Sequence, residues 1–402
     1  MEVGNHMTHP ARLYDGPNHS RGVVLVTGCS GFIGSELVGQ LKSAGYRVIG
    51  ATRDVDRIGN YGLESVRLPL QDDPVGAFQH ILQGVDHVVH LAALHHTRHA
   101  VPAHMYHSVN CVLSAKLAKA AHQTISGKFV FVSTIRAQCG TIHEGVAVES
   151  DPPRPTDDYG RAKLAAEIEI AAGLPRGNYT ILRPVLVYGA GVEANLATLT
   201  KLAALPVPLP LNSLPGKRSL LDRGALCRAI IHSLNEPKTD GGTFIVSDKN
   251  PVTLSQIVAA MRRGLDRSPW LFSFPSWILN PLANITGQGE RRKRLNGDLV
   301  ASSRKLQLTG WEPVLNTERQ IEEFSGEVYR RTRTKPVRYA SHSSSLIMLP
   351  AESFASILPG PSSCGRAVSD PVHHTEVDKK DDRDRPLEVP ACTSHPTCDE
   401  VE

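Results

Sequence analysis

A tyrosine and a lysine four residues apart are the first pair in this 402-residue sequence whose spacing suggests a reaction. They are Tyr159 and Lys163, in the stretch DDYGRAKLAAE (157–167). On a helix this spacing puts both side chains on one face, one turn apart. An ammonium group beside a phenol lowers the pKa of the phenol, so the tyrosine can exchange a proton near neutral pH. The pair therefore predicts an acid–base site, although ordinary surface pairs share this spacing.

Two hydroxyl groups precede this pair, at the end of an apolar run. The stretch FVFVSTIRA (129–137) predicts a buried strand followed by Ser133 and Thr134. A threonine hydroxyl can hydrogen-bond the carbonyl or hydroxyl group of a substrate. We therefore expect Thr134 to lie beside Tyr159.

A glycine-rich turn lies near the start of the chain, in VVLVTGCSGFIGSELVGQL (23–41). Gly28, Gly31 and Gly34 follow an apolar, β-branched run and precede apolar residues at helical spacing. Glycines let a ligand approach the backbone, and the N-terminus of a helix attracts phosphate through its N–H groups and its dipole. Strand, turn and helix in this order predict a nucleotide-binding site.

The elements that position these residues alternate from Val23 to about Pro237, which indicates βαβ units. The sequence therefore predicts an α/β fold with a doubly wound parallel sheet of the Rossmann type and a smaller C-terminal substrate-binding lobe. The predicted strands are 23–27, 47–52, 86–91, 128–133 and 179–183, followed by a helix at 222–235, a strand at 242–248 and a helix at 253–265.

Changes in composition predict the boundaries of the chain's regions. Residues 1–21 form a flexible lead-in without the apolar core of a signal peptide. Residues 22–237 form mainly the nucleotide-binding domain, and residues 238–330 form the smaller lobe, which also draws on 185–220. Residues 331–402 are rich in Ser, Pro and charge without periodicity, so we predict a disordered tail.

Composition also argues against several classes of protein. The net charge of +4 is too small to indicate nucleic-acid binding. The seven scattered cysteines form no CxxC pair, which is typical of reduced thiols and favours a cytoplasmic protein. The prolines of WLFSFPSWILNPLANITG (270–287) favour a packed helix or loop over a membrane span, or at most a surface that rests on a membrane. The loose histidine spacing of HHTRHAVPAHMYH (95–107) predicts no metal site.

Together these motifs resemble the extended short-chain dehydrogenase/reductase family, which includes the NAD-dependent epimerases and dehydratases. The resemblance spans about residues 22–330. It rests on TGCSGFIG, HLAA (90–93), Asn110 in SVNCVLSAKLA, the Ser133–Thr134 pair, YGRAK (159–163) and LRPVLVYGAG (182–191). Members of this family bind NAD or NADP and mostly act on nucleotide-activated sugars.

The resemblance implies a role for each matching residue. Tyr159 would be the general acid, Lys163 would orient it and hold the nicotinamide ribose, and Thr134 would take the catalytic hydroxyl position. The matching cofactor residues are Gly28, Gly31, Phe32, Ile33, Gly34, Leu91, Ala92, Ala93, Asn110, Lys163, Pro184 and Val185. The matching substrate residues are Thr134, Asn195 and Arg218, the last because a guanidinium fork suits a diphosphate.

The second half of the chain narrows the resemblance to one bacterial branch of this family. Its segments RPVLVYGAGVEANLATLTKLAALPVPLPL, KRSLL, GTFIVSD and LTGWEP are similar to bacterial UDP-N-acetylquinovosamine-forming 4-ketoreductases. Those enzymes reduce the C4 ketone of a UDP-2-acetamido-2,6-dideoxy-hexos-4-ulose for surface polysaccharides such as O-antigen. A UDP-glucose or UDP-N-acetylhexosamine 4-epimerase with tightly bound NAD is the alternative, and a non-catalytic dinucleotide sensor is a third hypothesis.

Two positions depart from the family pattern. In LDRGAL (221–226), Gly224 stands near a place where an acidic residue is usual. Leu186 stands where many epimerases and dehydratases have an asparagine that contacts the substrate. The second departure favours the reductase.

The second predicted strand bears on which cofactor is used. In NAD-binding members such a strand ends in an acidic residue that binds the ribose 2′-hydroxyl. Here the corresponding residue is Thr52, and Arg53 follows it. Because an arginine can pair with a 2′-phosphate, we expect NADPH, although Asp54 could reach the ribose of NAD instead.

The resemblance also implies a homodimer. Two predicted helices carry the apolar residues Leu113, Leu117, Leu164 and Ile168. We expect these residues to form a helix bundle shared between two subunits.

Overall fold

The computed structural model describes residues 21–55, 63–95, 101–190, 195–273 and 296–334. Nearly all of the predicted lead-in and tail, and most of the stretch 270–287, lie outside the described residues. The first four residues of the predicted tail, 331–334, are instead the end of a helix. None of the described helices is long and apolar enough to cross a lipid bilayer.

The described strands, in chain order, are β1 (Val23–Thr27), β2 (Arg47–Thr52), β3 (Ser65–Arg67), β4 (His87–His90), β5 (Phe129–Val132), β6 (Val146–Ala147), β7 (Tyr179–Pro184), β8 (Leu186–Tyr188), β9 (Lys217–Arg218), β10 (Leu220–Asp222), β11 (Gly242–Val246), β12 (Val252–Thr253) and β13 (Val300–Ala301). The described α-helices are α1 (Phe32–Ser43), α2 (Val75–Ile81), α3 (Ala103–Tyr106), α4 (Leu113–Thr124), α5 (Ile135–Gln138), α6 (Asp158–Gly173), α7 (Asn195–Ala203), α8 (Arg223–Asn235), α9 (Leu254–Gly264), α10 (Arg304–Gln307) and α11 (Thr317–Thr334). A π-helical turn, His107–Val112, joins α3 to α4.

Seven parallel strands form the central sheet in the order β3-β2-β1-β4-β5-β7-β11. The chain builds outward from β1 in one direction and from β4 in the other. Ligands of doubly wound sheets bind beyond the carboxyl ends of the strands, where the strand order reverses. The predicted Rossmann-type sheet is confirmed, and the reversal lies between β1 and β4.

The strand predicted at 242–248 occupies a different place from the one expected. It forms β11, which pairs in parallel with β7 at the edge of the central sheet. The sequence assigns residues 238–330 to the smaller lobe because the alternation of strands and helices loosens after about residue 185. The pairing of β11 with β7 is a long-range contact, which the local sequence does not predict.

Side chains of β1 alternate between two apolar layers. Val24 and Val26 pack with α1 and α8, whereas Leu25 packs with α2, α4 and α6. A strand that is covered on both faces is apolar throughout, which explains the uninterrupted run in the sequence. A third apolar cluster, containing Tyr188, Leu199 and Ile257, joins β8, β10 and helices α7, α9 and α11.

Two of the four residues expected in a subunit interface lie in the core instead. Leu113 and Leu117 are buried within the chain, because α4 packs against both α2 and α6. Leu164 is half-buried and Ile168 is exposed. The homodimer stays a prediction, and its interface would use α6 rather than these two leucines.

Candidate active site

The residues predicted to do chemistry come together at the carboxyl edge of the sheet. Thr27 lies beside His90 on the neighbouring strand. Ser133 follows β5, and its N–H donates to the carbonyl oxygen of Leu182 on β7 at 2.7 Å. Backbone pairing of parallel strands thus places the ends of β1, β4, β5 and β7 in a row.

The glycine turn brings the backbone of β1 and α1 close to the end of β4. Gly28 has a φ of +69°, and a Cβ atom there would lie 2.9 Å from the backbone nitrogen of Ala92. A Cβ atom on Gly34 would collide with the carbonyl oxygen of Gly28. Both positions therefore require glycine.

The first turn of α1 suits an anion. Gly31 is its N-cap and supplies no side-chain acceptor, and the first turn carries no acidic residue. The backbone N–H groups at Phe32 and Ile33 begin this helix, so they and the helix dipole favour a pyrophosphate. These residues fit the predicted nicotinamide dinucleotide.

Arg223 is a neighbour of this turn that sequence reasoning missed. Its guanidinium carbon lies 5.0 Å from the ring centre of Phe32, and its Nη atoms donate to the carbonyl oxygen of Ala190 at 2.7 Å and to Glu36 at 2.9 Å. Arg223 thus ties α8 to α1. Because it is far from the glycine turn along the chain, its place could be found only from the fold.

A buried hydrogen-bond chain joins β1, β4 and α4. Thr27 Oγ1 lies 2.6 Å from His90 Nδ1, and His90 Nε2 lies 2.8 Å from Ser114 Oγ. Ser114 donates its hydroxyl hydrogen to the carbonyl oxygen of Asn110 at 2.7 Å. Because that hydrogen is used, His90 must donate from Nε2, and Thr27 must donate to Nδ1. His90 is therefore a neutral imidazole, and burial lowers its pKa to about 3.

The residues of this hydrogen-bond chain also hold the loop that follows β4. The N–H groups of Leu91 and Ala92 each donate to Thr27 Oγ1 at 3.1 Å. The Asn110 side chain accepts from the N–H of Leu94 at 2.6 Å and donates to its carbonyl oxygen at 3.0 Å. The amide hydrogens of Leu91 and Ala92 already have protein acceptors, so any contact they make with a dinucleotide uses other atoms. Asn110 braces this loop from the π-helical turn.

Tyr159 and Lys163 lie on α6, beside the end of β5. Asp157 caps the helix by accepting from the N–H of Gly160 at 2.7 Å. Lys163 is buried, and its Nζ atom donates to the carbonyl oxygen of Val132 at 2.8 Å. Thr134, two residues farther on, accepts from the N–H of Arg136 at 3.2 Å and still has its own hydrogen to donate.

The predicted effect of Lys163 on Tyr159 is wrong for this structure. Burial raises the pKa of Tyr159 to about 12, and the nearby charge that opposes this rise belongs to Arg136. The ammonium group of Lys163 instead lies 3.9 Å from the ring centre of Phe131 and bonds Val132. Burial lowers the pKa of Lys163 to about 7. The shared helix face was predictable, but the groups that the two side chains meet were not.

Two more aromatic rings lie against Tyr159. Its ring centre is 6.2 Å from that of Tyr106 and 6.1 Å from that of His95. The histidine-rich loop therefore reaches the candidate site at His95. Residues 96–100 of that loop lie outside the description. Among the described residues, no cluster of His, Cys, Asp or Glu is arranged to hold a metal ion.

The end of β2 lies next to the glycine turn, since Gly28 donates its N–H to the carbonyl oxygen of Ala51 at 3.3 Å. Thr52 Oγ1 accepts from the N–H of Asp54 at 3.3 Å, and Arg53 between them is exposed. Across the sheet, the buried residues Pro184 and Val185 follow one another at the end of β7.

The predicted substrate residues are more dispersed. Arg218 donates to the carbonyl oxygen of Thr141 at 2.7 Å, and burial lowers its pKa. Asn195 begins α7, and its side chain lies outside the description. Near Gly224, Asp222 caps α8 by accepting from the N–H of Ala225 at 2.8 Å.

Comparison with known proteins shows the family to which the chain belongs. The model of the NAD dependent epimerase/dehydratase family matches residues 24–246. A UDP-glucose 4-epimerase from Vibrio cholerae is 32% identical over 300 residues, covering 72% of this chain and 90% of that protein. A UDP-glucose 4-epimerase from Lacticaseibacillus casei is 27% identical over 320 residues, covering 72% and 91%.

Two solved structures show the same fold. A UDP-N-acetylglucosamine 4-epimerase from Bacillus cereus has a TM-score of 0.61 and 23% identity, covering 77% of this chain and 99% of that one. MoeE5, solved in complex with UDP-glucose and NAD, has a TM-score of 0.59 and 24% identity, covering 78% and 100%. The family model covers more than half of the sequence, and the Vibrio cholerae relative is matched over most of its length. The chain therefore belongs to the NAD-dependent epimerase/dehydratase family, an extended branch of the short-chain dehydrogenases and reductases.

Proposed function

We propose that this protein oxidises or reduces C4 of a UDP-activated hexose with a nicotinamide dinucleotide. The observation that carries the proposal is the position of Tyr159 and Lys163 on one helix face beside the end of β5. The glycine turn follows β1, at the reversal of strand order, and only β4 lies between β1 and β5 in the sheet. Tyr159 and Thr134 then supply a phenol and a hydroxyl group at the edge of the dinucleotide site, with the buried Lys163 on the same helix as Tyr159.

The residues divide the work of this reaction. A bound dinucleotide supplies the hydride acceptor or donor. Tyr159 moves a proton to or from the C4 oxygen, Thr134 donates a hydrogen bond to that oxygen, and Lys163 binds ribose hydroxyls. Arg136 supplies a positive charge near Tyr159.

The first candidate is a 4-ketoreductase. The pKa of Tyr159 is raised to about 12, so the phenol keeps its proton at neutral pH and is ready to give it to a ketone oxygen. Leu186 is half exposed on β8. It places an apolar side chain where the family resemblance expects a substrate-binding asparagine in epimerases and dehydratases. This departure from the epimerase pattern favours reduction of a UDP-2-acetamido-2,6-dideoxy-hexos-4-ulose.

The second candidate is a 4-epimerase with tightly bound NAD. It is favoured by the UDP-glucose 4-epimerase of Vibrio cholerae, which is matched over 90% of its length. Both candidates use the same three side chains. They differ in whether the dinucleotide stays bound and is regenerated or is consumed in each turnover.

For the cofactor we propose NADPH, with NAD as the alternative. Arg53 is exposed directly after β2, beside the glycine turn, where a 2′-phosphate would need a cation. Thr52 brings no negative charge to this place. Asp54, also exposed, is the residue that would favour NAD.

One experiment separates these candidates. The full chain is purified, and any bound dinucleotide is released and identified by mass. The protein is then incubated with UDP-glucose and UDP-N-acetylglucosamine without added cofactor, and with a UDP-4-keto-6-deoxyhexosamine plus NADPH or NADH, and the sugars are read by NMR. Consumption of reduced cofactor with formation of a C4 hydroxyl identifies the reductase, and cofactor-independent inversion at C4 identifies the epimerase. If neither occurs while dinucleotide binds, the proposal fails, and a dinucleotide-sensing module remains.

A further inference from the structure

A buried ion pair lies directly behind the candidate site. The side chains of Glu167 on α6 and Arg183 on β7 are 5% and 6% exposed. Arg183 Nε donates to both carboxylate oxygens of Glu167, at 3.0 and 3.1 Å. Ser133 also donates its hydroxyl hydrogen to Glu167, and Gln138 accepts from Arg183. Neither Glu167 nor Arg183 is among the residues proposed to bind the dinucleotide or the sugar.

The carboxylate joins the elements that carry the catalytic groups. Glu167 follows Lys163 by four residues, so the two side chains share one face of α6. Ser133 comes immediately before Thr134, and β7 is the neighbour of β5 in the sheet. Through Ser133 and Arg183, Glu167 therefore fixes the distance between α6 and the end of β5.

A buried pair of this kind adds little to stability. Desolvating two ions costs about as much as their attraction returns, and apolar side chains of similar size are often equally stable at such positions. The position of the pair behind Lys163 therefore points to an electrostatic effect on the ammonium group of Lys163. Lys163 has been taken out of water, which disfavours its charged form, and Glu167 is the nearby charge that opposes this effect.

The other groups that face Lys163 do not supply a compensating negative charge. On β5 it meets the carbonyl oxygen of Val132 and the ring of Phe131. On β4, behind that ring and stacked on it with 5.6 Å between ring centres, lies the neutral His90. From β7 comes Arg183, whose positive charge partly cancels that of Glu167.

We propose that Glu167 is a positioning residue that raises the protonated fraction of Lys163 and holds the end of β5 against α6, with Arg183 setting how much of the carboxylate's charge Lys163 experiences. The inference rests on the proposed function only for its consequence in catalysis. A protonated Lys163 has a positive charge and three hydrogens to donate, so it binds ribose hydroxyls better than a neutral lysine does.

The test is a pH titration of Lys163 in the full-length protein, by NMR of lysine labelled with ¹³C at Cε. The signal is assigned from its loss in Lys163→Arg. Glu167→Gln removes the negative charge and leaves Arg183 uncompensated, so the midpoint should fall by about one pH unit or more. Arg183→Gln removes the opposing cation, so the midpoint should rise. Glu169→Gln removes an exposed carboxylate from the same helix and is the matched control, which should leave the midpoint in place.

A double variant, Glu167→Gln with Arg183→Gln, guards against unfolding because it leaves no unpaired buried ion. Its midpoint should lie between those of the two single variants. In an activity assay, the loss of kcat at high pH should move to lower pH in Glu167→Gln and to higher pH in Arg183→Gln.

Opposite shifts support the inference, since mere loosening of the site would move both single variants in one direction. Equal shifts, no shift, or a shift as large in Glu169→Gln would overturn it. The titration needs no substrate. If Lys163 shifts as expected but no UDP-sugar is converted, the proposed function is refuted and this inference stands.

Discussion

His90 lies at the centre of the buried hydrogen bonds that hold the dinucleotide side of the site. Both ring nitrogens are engaged, by Thr27 and by Ser114, and the ring stacks on Phe131. Burial, together with the positive charge of Lys163, lowers its pKa from 6.5 to about 3. The residue links the turn after β1 to the loop after β4 without carrying charge.

This lowered pKa predicts how stability depends on pH. Between pH 6.5 and 3 the unfolded chain binds a proton at His90 and the folded chain does not, so stability falls as the pH falls through this window. At pH 5, 1.5 units below the unfolded value of 6.5, the loss is about 2 kcal/mol relative to pH 7.5. His90→Gln should lose this part of the pH dependence, whatever its stability at pH 7.5.

Denaturant unfolding at both pH values measures this difference. The exposed His80, changed to glutamine, is the control and should keep the wild-type dependence. A His90→Gln protein whose stability falls between pH 7.5 and pH 5 as much as that of the wild type would show that His90 titrates normally in the fold.

At the residue scale, the local sequence predicted which side chains share a helix face but not which groups they contact. The four-residue spacing correctly put Tyr159 and Lys163 on one helical face. Lys163 meets Val132 and Phe131, which come from β5 and precede it in the chain by 31 residues or more, with helix α5 and strand β6 between. Arg218 was expected at a diphosphate, yet its guanidinium donates to a backbone carbonyl oxygen that a sequence pattern does not specify.

At the scale of elements, helix α6 approaches α5 so closely that one position admits no side chain. A Cβ atom on Gly160 would overlap the carbonyl oxygen of Arg136. This approach puts Tyr159, the residue before Gly160, next to the turn that contains Thr134. The close packing of α6 against α5 thus explains why the second residue of YGRAK is glycine.

Gly160→Ala should therefore displace the first turn of α6. We expect a loss of about 1–3 kcal/mol in the free energy of unfolding, as for other overpacked sites. We also expect a fall in kcat with dinucleotide affinity largely kept, because the glycine turn at α1 is untouched. Gly173→Ala, at the other end of α6, is the matched control, since its Cβ would lie 3.5 Å from that of Ala118, an ordinary contact.

Thermal unfolding and steady-state kinetics on both variants provide the comparison. If Gly160→Ala and Gly173→Ala have equal kcat and equal stability, close approach of α6 to α5 does not position Tyr159.

Elements with a local signal were predicted well. Strands β1, β2 and β4, helix α8 and helix α9 lie within a residue or two of the predicted ranges, whereas the short strand β3 was not predicted. The strand at Gly242–Val246 was recognised from its β-branched and aromatic residues but assigned to the wrong part of the fold. Its position depends on pairing with β7, about sixty residues earlier, and on the right-handed crossover between them.

At the scale of the whole molecule, strand order determines where chemistry can occur. Parallel strands with the order reversed between β1 and β4 leave a crevice at their carboxyl ends. The glycine turn, the loop after β4 and the end of β5 all border that crevice. The alternation of elements predicted this arrangement from sequence, but it did not predict that α4 is covered on two sides and so has Leu113 and Leu117 inside the subunit.

The most direct test of the central claim follows a labelled hydride. NADPH or NADH that carries deuterium at C4 of the nicotinamide is mixed with a UDP-4-keto-6-deoxyhexosamine, and the sugar product is analysed by NMR. For a reductase, the account predicts deuterium at sugar C4. For an epimerase, which keeps its NAD bound, the substrate is instead UDP-glucose deuterated at C4, and the account predicts that the inverted product keeps its deuterium at C4. It also predicts at least about 100-fold slower transfer in Tyr159→Phe, with dinucleotide affinity unchanged. Absence of deuterium at C4 with the wild type, or transfer at the wild-type rate in Tyr159→Phe, would contradict the account.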